Sequence, residues 1–400
     1  MLNRLLQSGF QAYLVGGCVR DLLLGREPKD FDVVTDARPE QIKSIFRNCR
    51  LIGRRFRLAH IYFGRHIIEV ATFRGADSNG DRVVENGRLL RDNVYGTLEE
   101  DVWRRDFSVN ALYYNAQDFS VVDFVGGMGD HQKGVLRLIG DPEKRYREDP
   151  VRMLRAIRFA TKLGFSLHPS CAEPIQRLSG LLREIPPARL FDETMKLFLS
   201  GYAVQTFELL RKFHLFEMLF PETEKCLAHE SDGFPPVFLA KALENTDLRI
   251  GQGKPVTAYF LLAALLWEPV RMRVKTDTAN GQNEYMAIQQ AAAEVIRMQA
   301  STTSLPRRIA MPIREVWCLQ PRFKSRSSDR PFKLLSHPRF RAAYDFMELR
   351  ASTGDFDREV AVWWEQFQQV GEPEQKKMLR GSGRKPRRRG RFRQTGKAVR

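Results

Sequence analysis

The chain has 400 residues, a hydrophobic content of 43% and a formal net charge of +17 at pH 7. This length allows two or three packed domains, and no apolar stretch approaches the roughly eighteen residues that a membrane-spanning helix needs, so an integral membrane protein is excluded. The start of the chain lacks a signal-peptide pattern and the five cysteines form no Cys-x-x-Cys pair, which predicts a cytoplasmic protein without a zinc ribbon or disulfide framework.

A glycine pair follows the first apolar run of the chain. Residues 13–15 predict a short buried strand, Gly16-Gly17 a tight turn, and residues 19–24 the start of a helix. Glycines let the backbone approach an anion closely, and the unpaired N–H groups at a helix start favour negative charge. Arg20 is then placed to meet a triphosphate. An ordinary hairpin-like turn is the alternative for a Gly-Gly pair alone.

The next strand-like run, residues 31–35, follows Asp30 and contains Asp32. Because side chains alternate along a strand, these carboxylates should project together while Phe31 and Val33 point into a core. Such a pair suits Mg²⁺, or Mn²⁺ in its place, which takes one or two carboxylates plus substrate phosphates. Two ions about 3.5–4 Å apart can activate a hydroxyl and stabilise leaving pyrophosphate. Asp-x-Asp alone also occurs in surface turns, and the upstream glycines favour a nucleotidyltransferase site.

Further polar candidates follow in the same region. Glu69 lies in a strand-like run as a possible third carboxylate, although a salt bridge to a nearby arginine explains it equally well. Arg54, Arg55 and Arg57 could touch triphosphate or the RNA end, or form a charged hairpin. Residues 71–93, rich in Gly, Asp and Asn, predict a mobile loop beside the cleft.

Arg105 and Asp106 precede an alternating apolar run, residues 107–113, which predicts a strand or a short buried segment. At the edge of a cleft, Asp106 could contact a ribose hydroxyl or support the metal site, and Arg105 could hold phosphate through two hydrogen bonds. The alternative is an Arg–Asp surface ion pair, worth roughly 0–1 kcal/mol.

Asp149-Pro150 predicts a helix start, because a capping carboxylate precedes a proline in the first helical position. Arg152, Arg155 and Arg158 follow at three-residue spacing, which places the first two on one face. This face could look into the cleft, although an ordinary solvated arginine face is the commoner result of such spacing.

Four motifs follow one another along the chain: Gly16-Gly17-Cys18-Val19-Arg20-Asp21, Asp30-Phe31-Asp32, Arg104-Arg105-Asp106-Phe107-Ser108-Val109-Asn110-Ala111-Leu112 and Glu148-Asp149-Pro150-Val151-Arg152-Met153-Leu154-Arg155. In this order they resemble the class II template-independent nucleotidyltransferases, a family that contains tRNA CCA-adding enzymes and bacterial poly(A) polymerases. Residues 51–60 and the basic carboxy-terminal extension resemble the poly(A) polymerase branch. Cys18 departs from that branch, which carries a third glycine there, whereas other family members accept small residues.

The resemblance implies a poly(A) polymerase that adds AMP from ATP to RNA 3′ ends and releases pyrophosphate. Asp30, Asp32 and Asp106 would be catalytic, with the metal on Asp30 and Asp32. Nucleotide-binding roles fall to residues of the glycine, arginine and helix motifs, of which the last three would select adenine in place of a template: Gly16, Gly17, Arg20, Arg105, Asp149, Arg152 and Arg155. A tRNA CCA-adding enzyme is the alternative. A catalytically silent RNA-binding protein is disfavoured by the complete acidic set.

The chain as a whole is predicted to be α+β. A mixed-sheet nucleotidyltransferase head at residues 1–140 precedes a helical neck at 141–201 and a helical RNA-binding body at 202–375. Within the head, strand-like runs at 59–63, 67–73 and 120–124 add to those at 13–15 and 31–35. Residues 275–284 predict a surface loop. Large aromatics at helical spacing usually face inward, so the aromatic clusters at 332–344 and 363–367 are predicted to belong to a core, with stacking on RNA as the alternative.

The last 25 residues hold twelve Lys or Arg and no Asp or Glu, and thus +12 of the formal +17. They have little to bury, so a disordered tail at residues 376–400 is predicted to attract RNA phosphates by counterion release. A solubility tail or contact with an anionic membrane is the alternative. The predicted RNA contacts are Arg384, Lys385, Arg387, Arg388, Arg389, Arg391 and Arg393.

Overall fold

The computed structural model describes residues 1–53, 57–75, 82–85, 88–92, 94–228 and 237–381, with the backbone alone described at 82–85, 88–92 and 380–381. The chain divides into two compact units, Met1–Met218 and Leu219–Arg400. In the described part of the chain, no helix combines the length and the apolar character that crossing a membrane requires.

Strands are found in unit 1. They are β1 (Ala12–Val15), β2 (Asp32–Thr35), β3 (Cys49–Ile52), β4 (Leu58–Phe63), β5 (His66–Thr72), β6 (Arg82–Glu85), β7 (Arg88–Asp92), β8 (Tyr113–Asn115), β9 (Val121–Val122), β10 (Val135–Leu136) and β11 (Ser166–Leu167). The main mixed sheet has the order β3-β4-β5-β2-β1-β8-β9, with β2 antiparallel to β1 and parallel to β5. Strand β2 is therefore an interior strand, hydrogen-bonded on both sides.

Helices surround this sheet and complete unit 1. They are α1 (Leu2–Gln7), α2 (Gly17–Leu23), α3 (Pro39–Ile45), α4 (Leu98–Arg104), α5 (Gly127–Lys133), α6 (Pro142–Glu148), α7 (Val151–Leu163), α8 (Pro169–Leu178), α9 (Pro187–Phe198), α10 (Ala203–Lys212) and α11 (Phe216–Leu219), with 3-10 turns at Ser108–Asn110 and Ser179–Glu184. Helix α4 starts in a reciprocal capping box, in which Thr97 Oγ1 accepts from the Glu100 N–H and the Glu100 carboxylate accepts from the Thr97 N–H. In α7 the buried Met153, Leu154 and Ile157 form its core-facing side.

The described part of unit 2 is helical. It contains α12 (Pro221–Ala228), α13 (Val237–Gly251), α14 (Ala258–Leu265), α15 (Trp267–Ala279), α16 (Glu284–Thr302), α17 (Arg307–Leu319), a 3-10 turn (Gln320–Lys324), α18 (Arg330–Leu335), α19 (Phe340–Ser352), α20 (Arg358–Gln369) and α21 (Glu372–Gly381). Phe323, Trp364 and Phe367 are fully buried in its aromatic core, and the Trp364 indole donates to the carbonyl of Phe323 at 2.9 Å. The prediction that the aromatic clusters belong to a core is confirmed.

The predicted α+β class, a small mixed sheet followed by helices, is confirmed. The strands predicted at 13–15, 31–35, 59–63 and 67–73 lie within one residue of β1, β2, β4 and β5 at each end. The predicted loop at 71–93 is wrong where β6 and β7 pair, because the apolar steps Val83-Val84 and Leu89-Leu90 flank an Asn-Gly step, a sequence pattern that favours a hairpin over a loop. The predicted loop at 275–284 is wrong up to residue 279, which ends α15.

The predicted disordered tail also begins too early. Residues 376–381 form the last turns of α21, in which Met378 and Leu379 pack against the aromatic core. Gln375, at 8% exposure, donates from its side-chain amide to the carbonyl of Phe367 at 2.8 Å. These contacts attach α21 to the rest of unit 2. The basic residues from Arg384 to Arg393 lie outside the described part of the chain.

Candidate active site

The interior strand β2 positions the acidic pair. Asp32 is its first residue and lies opposite Val15 on β1 and Glu69 on β5, while Asp30 precedes the strand. Both aspartate side chains reach solvent, whereas Val33 and Val34 behind them are buried. Because β2 is bonded on both sides, the backbone that carries Asp32 is fixed in register.

Phe31, between the two aspartates, does not point into the core. Its side chain is 41% exposed, whereas Val33 is 1% exposed as predicted. The reason is that strand pairing begins only at Asp32, so Phe31 lies beyond the ladder. It lines a shallow apolar cleft of about 330 Å³ together with Leu14, Val33 and Ile68.

The electrostatic surroundings of Asp32 are mostly unfavourable for its charge. The side chain reaches solvent, yet the protein around the carboxylate displaces water, and this desolvation is the largest cause that raises its pKa. The neighbouring Glu69 raises the pKa further and Asp30 adds to it, while Arg105 opposes them. A bound cation would relieve this repulsion, so the carboxylates fit a divalent metal.

For Glu69 the sequence left open a metal role and a salt bridge to an arginine. In the structure this residue contacts a histidine. His60 Nε2 lies 3.3 Å from the Glu69 carboxylate, which is 45% exposed. In the described residues, no group of three or more His, Cys, Asp or Glu is placed to share one ion. The site therefore offers the two aspartates, and substrate phosphates and water would complete a metal's coordination.

The Gly16 turn joins β1 to α2. Gly16 has φ +78°, a left-handed conformation that glycine adopts without strain, and α2 begins directly after it at Gly17, two residues earlier than predicted. A Cβ at Gly16 would lie 3.6 Å from Arg105 Nη1. The turn and the guanidinium group of Arg105 are therefore neighbours. They lie at the end of the sheet where β2 begins with Asp32.

A buried network holds Arg105. Its Nε donates to the Tyr113 hydroxyl at 2.7 Å, and its Nη2 donates to Asp101 Oδ2 at 3.0 Å. The Tyr113 hydroxyl in turn donates to Asp101 at 2.7 Å, which also accepts from the backbone N–H of Arg74. Burial raises the pKa of Tyr113, so the phenol keeps its proton. Nη1 is left to face the Gly16 turn.

Arg20 is enclosed within the protein. It is 3% exposed, donates to Asp21 through Nε and Nη2 at 2.8 and 2.6 Å, and donates to Asn110 through Nη1 at 2.5 Å. Its predicted contact with a triphosphate would require these bonds to be exchanged. Through these bonds Arg20 joins α2 to the Ser108–Asn110 turn.

Asp106 and Arg155 form an ion pair that joins the arginine motif to α7. Arg155 Nε donates to Asp106 Oδ2 at 2.7 Å, and the other carboxylate oxygen accepts from the Phe107 N–H at 2.9 Å. The side chains are 13% and 35% exposed, so this is not a surface pair. No hydrogen bond or ion pair between described residues connects Asp106 to Asp30 or Asp32.

The start of α7 carries the remaining predicted residues. Asp149 accepts from the Val151 N–H at 3.3 Å and from Arg189 on α9 at 2.7 Å, so it caps α7 while lying one residue further out than predicted. Arg152 donates to Glu148 at 3.1 Å. Arg152 and Arg155 therefore have different partners, although they share a face.

Sequence reasoning missed the residues that hold Arg105 and Arg20. Asp101 lies four positions before Arg105 in α4, a helical spacing that favours an acid–arginine contact and could have indicated it. No local pattern connects Arg20 to Asn110, ninety positions later. Of the predicted arginine hairpin, Arg54 and Arg55 lie outside the described residues, and Arg57 pairs with Glu40.

Three family profiles match successive parts of the chain. They are described as the poly A polymerase head domain at residues 12–137, the probable RNA and SrmB-binding site of polymerase A at 164–227, and the polymerase A arginine-rich C-terminus at 280–397.

Curated relatives match over most of the chain. It is 50% identical to poly(A) polymerase I of Salmonella typhi over 388 residues, which span 95% of this chain and 83% of the relative. It is 48% identical to poly(A) polymerase I of Escherichia coli O157:H7, again over 95% and 83%. The CCA-adding enzyme of Bacillus pumilus is more distant, at 36% identity over 61% of this chain and 60% of that enzyme.

Solved structures share the fold. A tRNA-processing enzyme in an apo form has a TM-score of 0.63 at 23% identity, covering 95% of this chain and 98% of that one. The Bacillus stearothermophilus CCA-adding enzyme in complex with CTP has a TM-score of 0.55 at 26% identity, covering 91% and 80%. The motifs, the acidic pair on β2 and the identity across almost the full length agree: the chain belongs to the bacterial poly(A) polymerases of the template-independent nucleotidyltransferase family.

Proposed function

We propose that the chain transfers AMP from ATP to RNA 3′ ends at the acidic pair of β2, releasing pyrophosphate without a template. The observation that carries this is the placement of Asp30 and Asp32 at the start of an interior strand, beside the Gly16 turn and Arg105. The 48–50% identical relatives are named poly(A) polymerases, which supports this reaction over CCA addition.

Asp30 and Asp32 are the residues that would hold Mg²⁺, or Mn²⁺ in its place. A divalent ion supplies an activated 3′-hydroxyl and neutralises charge on the departing pyrophosphate. The carboxylates fit it because burial, Glu69 and Asp30 together raise the pKa of Asp32, and a bound cation would offset this cost of holding the charge.

The other residues of the site bind and orient the nucleotide. Arg105, with Nη1 towards the Gly16-Gly17 turn, holds the triphosphate, and Arg20 keeps that turn in place through Asn110. The bond that forms joins the 3′ oxygen of RNA to the α-phosphorus, and the bond to pyrophosphate breaks. No covalent enzyme intermediate is needed.

Base selection falls to the start of α7. Asp149 and Arg152 present a carboxylate and a guanidinium, which recognise the donor and acceptor edge of adenine. Arg155, paired with Asp106, couples that helix to the segment after α4. Asp106 would then complete the acidic site by contacting a ribose hydroxyl.

The function is tested by supplying purified protein with single nucleotides and two RNAs, an unstructured one and a tRNA that lacks its CCA end. We expect extended A tails on both RNAs from ATP alone. Addition of C followed by A to the tRNA, with no tailing of the unstructured RNA, would identify a CCA-adding enzyme instead.

Asp30→Ala and Asp32→Ala should each lower AMP incorporation by about 10²–10³-fold or more, the loss typical of removing a transition-state charge stabiliser. Asp118→Ala, in an exposed turn of the same unit, is the matched control and should stay active. Circular dichroism and thermal unfolding report whether each fold is intact. A folded double variant that still tails RNA normally refutes the assignment.

A further inference from the structure

Unit 2 contains a cleft of about 700 Å³ that the acidic site does not use. Helices α13 and α19 form its walls, and the segment 255–257 with the start of α14 forms its end. We name it the body cleft and define it by Asn245, Arg249, Tyr259, Phe260, Asp345 and Arg358. A concave site of this size, lined by both aromatic and polar side chains, can bind a ligand.

Aromatic rings line one side of the body cleft. Tyr259 and Phe260 are both half-buried, and Phe260 packs edge-on against Phe346 at 6.0 Å between ring centroids. The Arg339 guanidinium lies 5.5 Å from the centre of the Tyr259 ring. Arg339 is itself anchored by Glu315 at 3.0 Å. The rings are therefore supported from behind while they contribute to the cleft wall.

Polar side chains at the rim of the body cleft are available to contact a ligand. In the part of the chain that the structure describes, the Arg358 guanidinium and the Asn245 amide have no side-chain partner. Both are exposed at the mouth of the cleft. Arg249 donates one bond to the carbonyl of Pro255 at 3.1 Å and keeps its charge at the same rim.

Charge inside the cleft is partly balanced. Arg341 contacts Asp345 at 2.8 and 3.2 Å, and Glu348 adds a second, exposed carboxylate to the lining. These two acids offset two of the three arginine charges, so one positive charge remains. Arg358, which has no side-chain partner among the described residues, therefore favours an anionic group at the rim. The neighbouring aromatic rings favour a flat, apolar group. A nucleotide of single-stranded RNA presents both, and aromatic stacking with cationic backbone contacts is how such strands are bound.

We propose that the body cleft binds one nucleotide of the RNA substrate, with its base against Tyr259 and Phe260 and its phosphate at Arg358. The inference rests on the proposed function, because it takes RNA as the substrate. It adds a specific subsite in unit 2, separate from the acidic pair of unit 1. Asn245, which can donate and accept, would meet the edge of the base without strict sequence choice.

The test measures binding of a labelled single-stranded oligoadenylate to the full chain by fluorescence anisotropy. Tyr259→Ala should weaken binding about fivefold or more, the lower end for losing one base–aromatic stack. Tyr259→Phe keeps the ring and should bind like the unchanged protein. Tyr285→Ala is the matched control, since Tyr285 is exposed on α16 and does not line the cleft.

Arg358→Ala should lower the slope of log affinity against log salt by about 0.7, the loss of one single-strand phosphate contact. Arg297→Ala, which removes an exposed arginine of α16 away from the cleft, should leave the slope unchanged. Free ATP competing with the RNA in a Tyr259-dependent manner would assign the cleft to a mononucleotide and overturn the proposal.

Photocrosslinking separates this inference from the reaction itself. A single strand that contains 4-thiouridine should crosslink to residues 255–260 or 341–349, and Tyr259→Ala should raise the KM for RNA while leaving kcat unchanged. If the protein adds no AMP, the proposed function fails, yet crosslinks to the cleft still support the subsite. Crosslinks found only elsewhere, with unchanged affinity in folded Tyr259→Ala, overturn the subsite whether or not AMP is transferred.

Discussion

At the scale of single residues, Asp32 is held where its charge is unfavourable. The pKa of Asp32 is higher in the folded protein than in the unfolded chain. Protonation of this carboxyl therefore stabilises the folded protein at a pH below the unfolded pKa, and this stabilisation is lost as the pH rises through the folded pKa. At neutral pH the folded protein therefore carries an electrostatic cost at the position that would bind the metal. Such a cost is typical of functional sites.

Glu69→Gln tests this description. Glu69 is the largest charged cause of the raised pKa of Asp32, so its neutralisation should raise the Tm of metal-free protein at pH 8. The gain should vanish in acid, below the ordinary pKa values of both carboxyls. Thermal unfolding across this pH range measures it.

The same variant distinguishes the two explanations of Glu69. If Glu69 acts only through its charge, Mg²⁺-dependent AMP incorporation should persist in Glu69→Gln. Loss of incorporation at all Mg²⁺ concentrations would make Glu69 a metal ligand. His60→Gln is the control, because it removes the partner of Glu69 but leaves both carboxylates in place.

Tyr113→Phe tests the network behind Arg105. The variant removes the hydroxyl that donates to Asp101 and accepts from Arg105, leaving buried groups with fewer partners. We expect a loss of about 1–3 kcal/mol in the free energy of unfolding, measured in urea. The KM for ATP should also rise, because Arg105 loses its orientation. Unchanged ATP kinetics in a destabilised variant would show a purely structural network.

The residue scale also shows what the sequence could reveal. The place of Asp32 in β2 was predictable from the strand-like run at 31–35, whereas Asp30 lies before the paired strand, where the two-residue period does not apply. The burial of Arg20 was not predictable, since it depends on Asn110, which only the folded chain brings near. The exposure of Phe31 escaped prediction because alternation holds only inside a paired strand.

At the scale of elements, α7 is joined to its surroundings by charged contacts at several points. Arg155 reaches Asp106, Asp149 accepts from Arg189 on α9, and Arg158 lies 3.9 Å from Glu193, also on α9. A helix whose arginines are tied in this way has a fixed rotation about its axis. The residues proposed to read the base are thereby held in position.

A double-mutant cycle over Asp106→Asn and Arg155→Ala tests that link. Because the pair is largely sheltered from solvent, the two changes should be coupled by about 0.5–3 kcal/mol in urea unfolding. Arg152→Ala combined with Asp106→Asn is the control and should be additive. Additivity in both cycles would mean that the ion pair does not hold α7.

Local elements were predicted well where periodicity is intrinsic to one segment and poorly where two segments cooperate. The apolar runs of β1, β2, β4 and β5 were visible in the sequence. The β6–β7 pair was not predicted, because its two short strands are held by pairing with each other and the Asn86-Gly87 step between them was assigned to a loop. The polar end of α15 was also missed, although Thr276 and Thr278 bond back to carbonyls four residues earlier.

At the scale of the whole molecule, charge is concentrated at the carboxy-terminal end. Removal of residues 382–400 takes away nine Lys or Arg but leaves α21 and its packing on unit 2. We expect weaker RNA binding and a salt dependence lower by up to about 6 units of slope, at roughly 0.7 per phosphate contact. Anisotropy at several salt concentrations measures this. An unchanged slope would exclude the tail as an RNA-binding segment.

The interior position of β2 also limits how the candidate active site can vary between lineages. Inserting or deleting one residue between Asp30 and Val33 would either separate the acids or turn the strand over, exchanging its buried and solvent sides. The amino acid at position 31 is under no such restriction, since it lies outside the ladder and outside the core. Natural diversity here should therefore appear as exchange of side chains at a constant chain length.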